Sequence, residues 1–214
     1  MSVVKVNKNL SLQSLVVTNL LVIVLAIYQS WNIFDLMIIY WAQSVIIGIF
    51  NFFGILGLEN YSTKGFRENG VQPPANKATK VGAAIFFAFH YGFFHLIYFG
   101  FIMGFVIFGN SSFSDGQLFY ILIGIILFFI NHLISYRQNI AELKSGLNIG
   151  TIMFRPYVRI IPMHLLIVFF GIILSDKNSS HFRYTLALAS FLLLKMGADV
   201  VMHLTEHKKK IFKR

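Results

Sequence analysis

Residues 80–108 read KVGAAIFFAFHYGFFHLIYFGFIMGFVIF, and after Lys80 the run contains no charged residue, only the two histidines His90 and His95. A helix rises about 1.5 Å per residue and a bilayer's hydrocarbon layer is roughly 30 Å thick. The run is therefore long enough to cross a membrane with length left over to tilt or to project beyond it.

The rest of the chain has the same character. Of its 214 residues 57% are hydrophobic and 24 are Phe, only 12% are charged, and the mean hydropathy is +0.71. Soluble domains carry about 25% charge, so the composition predicts an all-α integral membrane protein. The chain has no cysteine, which excludes disulfides, thiolate metal sites and cysteine nucleophiles. The net charge of +10 is not arranged as a basic stripe interleaved with exposed aromatics, so nucleic acid is not an expected partner. Membrane lipids are.

Six segments are long and apolar enough to span, at about 11–28, 36–58, 80–108, 117–136, 157–174 and 184–205. The first is too long for a signal peptide and lacks a small-residue cleavage site, so it is expected to be retained. With six transmembrane helices both termini share one side. That side would hold 15 of the 18 Lys and Arg: Lys5, Lys8, Lys64, Arg67, Lys77, Lys80, Arg137, Lys144, Arg155, Arg159, Lys208, Lys209, Lys210, Lys213 and Arg214. The opposite loops carry Lys177 and Arg183, and Lys195 lies within a span. The positive-inside rule then makes both termini cytoplasmic in a multi-pass protein of the cell membrane. The loop at 59–80 is expected to be irregular, 137–156 is read as a second loop on the same side, and the basic tail at 206–214 is expected to lie against anionic headgroups or to act only as a topology anchor.

Ionisable residues inside spans are costly, and each raises a functional hypothesis. Here they are His90, His95, His132, His164, Lys195, Asp199 and His203. His132, His164 and His203 each lie five residues from a cytoplasmic-side charge, roughly 7–8 Å along a helix. Asp199 is about 13 Å in and His90 about 15 Å. Four helices thus bring histidines to the same half of the bilayer. Asp199 and His203 are i, i+4 and share a helix face. His90 and His95, about 140° apart around the helix, do not share one. His90 is expected to face the cluster, and His95 to make a second polar contact or line a deeper position. Asn131, His132, Ser135 and Asn139 form a polar stripe. Asp199 has a plainer alternative partner in Lys195, four residues earlier.

A set of His and carboxylate ligands without cysteine suits zinc, or iron or manganese with more oxygen ligands. The candidate metal ligands are His90, His164, Asp199 and His203, with His132 in reserve, and Asp199 or Glu206 is the candidate catalytic base. An open metal site of that kind would hydrolyse a lipid-like ester, amide or phosphate. A proton or cation path through the same residues is the competing expectation. Haem held by two of His132, His164 and His203 is a third. Serine proteolysis is not expected, because SGLNIG at 145–150 lacks the G-x-S-x-G pattern. The HExxH zinc-protease motif is absent as well.

The runs HLISYRQN (132–139), PYVRIIPMH (156–164), KMGADVVMHLTEH (195–207), YWAQ (40–43) and HYG (90–92) resemble a prokaryotic family of multi-pass membrane proteins catalogued only as a domain of unknown function. The resemblance covers about residues 36–207. It implies a family-wide role for His90, His132, Tyr157, Arg159, His164, Lys195, Asp199, His203 and His207, and implies no activity. The family pattern has an acidic residue where Gln43 stands, and its second histidine on the third span lies nearer Tyr98 than His95. Both differences set Gln43 and His95 outside the implied set. A looser similarity, to zinc-dependent membrane hydrolases of the ceramidase and adiponectin-receptor type, is one of pattern alone, since those have seven spans.

Overall fold

The computed structural model describes residues 33–108, 115–143, 146–161, 164–165, 186, 189–190, 192–198 and 200–201. They fall in two compact units, one of Phe34–Ile160 and one drawn from Met1–Ile33 and Ile161–Arg214. Among the described residues the secondary structure is helical, and extended backbone pairs only at isolated bridges. The expected span at 11–28, most of those at 157–174 and 184–205, and the basic tail lie outside the described residues.

The first unit contains helices α1 (Ile33–Leu56), α2 (Lys77–Phe108), α3 (Asp115–Leu143) and the short α4 (Ile149–Phe154), which runs into a 3₁₀ turn at Arg155–Arg159. Met37–Leu56 and Lys77–Gly104 are long and apolar enough to cross a membrane. Helix α2 begins ahead of the apolar run at 80 because Asn76 caps it. The Asn76 side-chain oxygen accepts from the Thr79 N–H at 3.0 Å, and its carbonyl accepts from the Lys80 N–H at 3.1 Å. Such a cap satisfies donors that the first helical turn otherwise leaves open.

Two helical stretches fall where the sequence reading expected the loop at 137–156. Helix α3 continues through RQNIAEL to Leu143, and Ile149–Phe154 is helical. Arg, Gln, Ala, Glu and Leu are good helix formers, so loss of apolar character does not mark where the helix ends. Asn148 starts α4 by accepting from the Thr151 N–H at 3.1 Å.

The same Asn148 fastens the loop between α1 and α2. Its amide donates to the Lys64 carbonyl at 2.8 Å. Beside it, the Ser62 N–H donates to the Leu147 carbonyl at 2.9 Å and the Ile149 N–H to the Ser62 carbonyl at 3.0 Å. The Tyr61 hydroxyl donates to the Asn76 carbonyl, and the Lys80 ammonium to the Leu58 carbonyl. The loop tip is a tight reversal in which Glu68 and Val71 exchange backbone hydrogen bonds across Asn69 (φ 51°) and Gly70 (φ 82°). Two consecutive left-handed residues make this the hairpin turn that the Asn-Gly pair favours. Beneath the loop, a core joins Ile55 of α1 and Leu58 just past its end, Ala83, Ala84 and Phe87 of α2's first turns, and Ile149, Ile152 and Met153 of α4.

The polarity of α2 is inverted. Its buried positions, Ala84, Phe87, Tyr91, His95, Tyr98 and Ile102, follow helical spacing and include three polar side chains. Its exposed face presents Phe86, Phe89 (78% exposed), Phe93 and Leu96 (68%). A helix in water keeps its apolar stripe inward; this one turns it outward.

Candidate functional site

The buried face of α2 meets α1 in a polar seam. Along α1, Ser44, Gly48 and Asn51 recur at i, i+4 and i+7; along α2, Tyr91, His95 and Tyr98 do the same. Each set therefore lies on one helix face. At Gly48 the approach is very close: a β-carbon there would stand 2.5 Å from Cε1 of Tyr91. Only hydrogen fits.

Because the Tyr91 ring lies over Gly48, its hydroxyl reaches Ser44, 2.8 Å from Oγ and 3.1 Å from the carbonyl oxygen. His95 completes the group. Its Nε2 is 2.9 Å from Ser44 Oγ and its Nδ1 is 2.8 Å from the Tyr91 carbonyl. A carbonyl can only accept, so Nδ1 carries the proton and a neutral ring presents its Nε2 lone pair to Ser44. Ser44 then donates to His95 and accepts from Tyr91. With the ring neutral, the order along the trio runs Tyr91 O–H to Ser44 O–H to His95 Nε2, the one Tyr91 proton being shared between Ser44 Oγ and the Ser44 carbonyl. All three are buried, Ser44 and Tyr91 at 3% exposure and His95 at 5%. The Trp41 indole adds a second tie by donating to the His95 carbonyl at 2.8 Å. Gln43 Oε1 and Asn51 Nδ2 are buried and have no hydrogen-bond partner among the described residues.

His90, five residues earlier, faces elsewhere. Its Nδ1 is 2.8 Å from the Tyr157 hydroxyl on the 3₁₀ turn, and its ring is stacked on Phe86 at 5.3 Å. Tyr157 is set by ring edges from Phe87 at 6.0 Å and Tyr91 at 5.4 Å. Among the described residues, Nε2 of the exposed His90 has no hydrogen-bond partner. His132 on α3 lies beside Phe50 of α1, ring centroids 6.5 Å apart.

In the second unit His164 is helical and exposed, and Lys195 is buried in the helical stretch 192–198. Asp199, His203, Glu206 and His207 lie outside the described residues, as do the side chains of Asn131, Ser135, Asn139 and Arg159. Among the described residues, no group of three or more His, Asp or Glu side chains gathers where it could hold a metal ion.

Sequence reasoning missed Ser44, Tyr91 and Trp41, and the resemblance left His95 aside. A signal for them was present. Two apolar helices carry small or polar residues at matching 4, 3 spacing, which is what a pair of helices packed along a polar seam requires.

Over residues 2–211 the chain matches the model of a family of unknown function, DUF6498, and it belongs to that family. No curated protein and no solved structure matches it.

Proposed function

We propose that this DUF6498 protein is a multi-pass integral membrane protein of six spans with both termini cytoplasmic, which holds zinc in the cytoplasmic half of the bilayer and hydrolyses a lipid-like substrate. The membrane part is supported by the inverted polarity of α2, since apolar rings on the outside and Tyr and His on the inside suit lipid and not water.

The posture of His90 carries the metal part. Metal-bound histidines are usually held by a partner at their second ring nitrogen, which fixes ring and tautomer. Tyr157 stands at Nδ1 of His90 in that role, leaving Nε2 for an ion. His164, Asp199 and His203 would complete the set, with His132 in reserve, and Asp199 or Glu206 would serve as base. Zinc held this way supplies a bound water of pKa about 7.

Elemental analysis of detergent-purified protein tests this. About one zinc per chain is expected by the one-site reading, with loss in Asp199→Ala and in the His164→Ala, His203→Ala pair. Metal-free wild type would remove the reading. An absorption spectrum of the same sample decides haem. A second reading, a proton or cation path, is supported by Lys195, a buried cation in an apolar helical stretch. Dye-reported ion flux in proteoliposomes, lost in Lys195→Met, would select it.

A further inference from the structure

We infer that Ser44 is an activated hydroxyl with His95 as its base, forming an acyl-transfer site for a lipid-borne ester, and that Tyr91 is the resting cap over it. The inference is independent of any metal.

It starts from the direction of the hydrogen bonds. A proton relay needs an exit, and at its His95 end this trio has none among the described residues, because the far nitrogen of His95 is spent on the Tyr91 carbonyl. What remains is an imidazole whose tautomer is fixed from behind and whose lone pair faces a hydroxyl 2.9 Å away. A nucleophile within reach of a base, with the base oriented by a third group, is the arrangement that activates serine. The orienting group here is a backbone carbonyl, which lies at helical reach of any His at i+4 and leaves no sequence motif.

The cap is equally specific. The Tyr91 ring covers Gly48 while its hydroxyl occupies the remaining side of Ser44. With the phenol turned aside, both the hydroxyl and a side-chain-free stretch of α1 are uncovered. Asn51 Nδ2, on the same α1 face as Ser44, is a buried donor with no partner among the described residues, so the seam has polar capacity that its own contacts leave unused. The apolar outer face of α2 suits a substrate arriving laterally, already dissolved in lipid.

In the reaction, Ser44 Oγ bonds to the acyl carbon and its proton passes to His95 Nε2. The ester's C–O bond breaks and the departing alcohol takes that proton. Water then attacks the acyl-serine and gives its proton to Nε2, the acid leaves, and Nε2 returns the proton to Ser44.

The test uses the full chain in membranes with a long-chain alkyl fluorophosphonate, whose P–F bond breaks as Oγ–P forms, fluoride and the serine proton leaving to solvent. We expect labelling of wild type with or without chelator. It should be absent in Ser44→Ala, slower by at least about tenfold in His95→Gln, and faster in Tyr91→Phe, which frees Oγ of one donor. Because the chain has no cysteine, Ser44→Cys places a single thiol in the seam. Its reaction with N-ethylmaleimide should likewise fall by about tenfold or more when His95→Gln is added. Unlabelled, monodisperse wild type overturns the proposal, as does label persisting in Ser44→Ala or a thiol indifferent to His95. The trio would then be a helix clamp only.

Discussion

Gly48→Ala would test the seam by sterics alone. The new methyl would stand 2.5 Å from Cε1 and 2.9 Å from Cδ1 of Tyr91. Ordinary carbon contacts are about 3.5–4.0 Å, so the ring must retreat by about 1 Å. It has little room to do so, with Phe87 stacked at 4.9 Å, His95 at 4.2 Å and the Tyr157 edge at 5.4 Å. Overpacking of this kind costs about 1–3 kcal/mol. Pulling the hydroxyl away from Ser44 adds about 0.6 kcal/mol, the mean for interhelical hydrogen bonds in membranes. Alanine returns about 1 kcal/mol through helix propensity. The net expectation is a loss of about 0.6–2.6 kcal/mol. Gly92→Ala is the control: its β-carbon would meet nothing within 4 Å, so it keeps the propensity gain without the clash. Denaturant titration of the purified chain in mild detergent should therefore separate the two variants by about 1.6–3.6 kcal/mol. Equal stability would refute the close approach of α1 and α2 at this point.

Tyr157→Phe keeps every ring contact and removes the hydroxyl from His90, so zinc affinity should fall about 10–100-fold, read by competition with a chelating dye. Unchanged affinity would remove Tyr157 from the site. Asn148→Ala deletes both the α4 cap and the clasp on Lys64; the cap alone is worth about 1 kcal/mol. Trypsin cleavage after Lys64 and Arg67 should accelerate, and an unaltered digestion rate would mean the loop is held by other contacts. Phe89→Arg places a charge on the most exposed aromatic among the described side chains of α2, at about 2.5–3.5 kcal/mol if the position is central in the bilayer. Membrane-integrated yield should drop; wild-type yield would mean that this face does not meet lipid.

Helix content was legible in the sequence because a long apolar run has one way to satisfy its backbone in lipid. Helix ends were less so, since hydropathy follows solvent and caps follow backbone. Asn76 and Asn148 set two starts by hydrogen bonds that no hydropathy window registers. The separation of His90 from His95 follows from 3.6 residues per turn. Which neighbour each would find does not, because it depends on how α1 and the 3₁₀ turn are rotated against α2. Ser44 and His95 are 51 residues apart and meet only through that rotation. A search for G-x-S-x-G looks for a strained turn at one serine, and it cannot register a base delivered by a second helix.

The seam also explains why α1 and α2 should hold one register. Between helices in lipid, apolar contact with a neighbour is hardly better than apolar contact with an acyl chain, so aromatic rings alone specify little. Polar groups behave differently, since leaving one unsatisfied in hydrocarbon costs several kcal/mol by transfer estimates. Sliding α2 by one turn would carry His95 past Ser44 and set the Tyr91 ring against a side chain instead of Gly48. Both penalties act on the same displacement. The trio and the glycine therefore fix α2 axially, and with it the height at which His90 meets Tyr157. A binding site that uses Nε2 of His90 depends on the Ser44 seam for its position, even though the two histidines share no hydrogen-bond partner among the described residues.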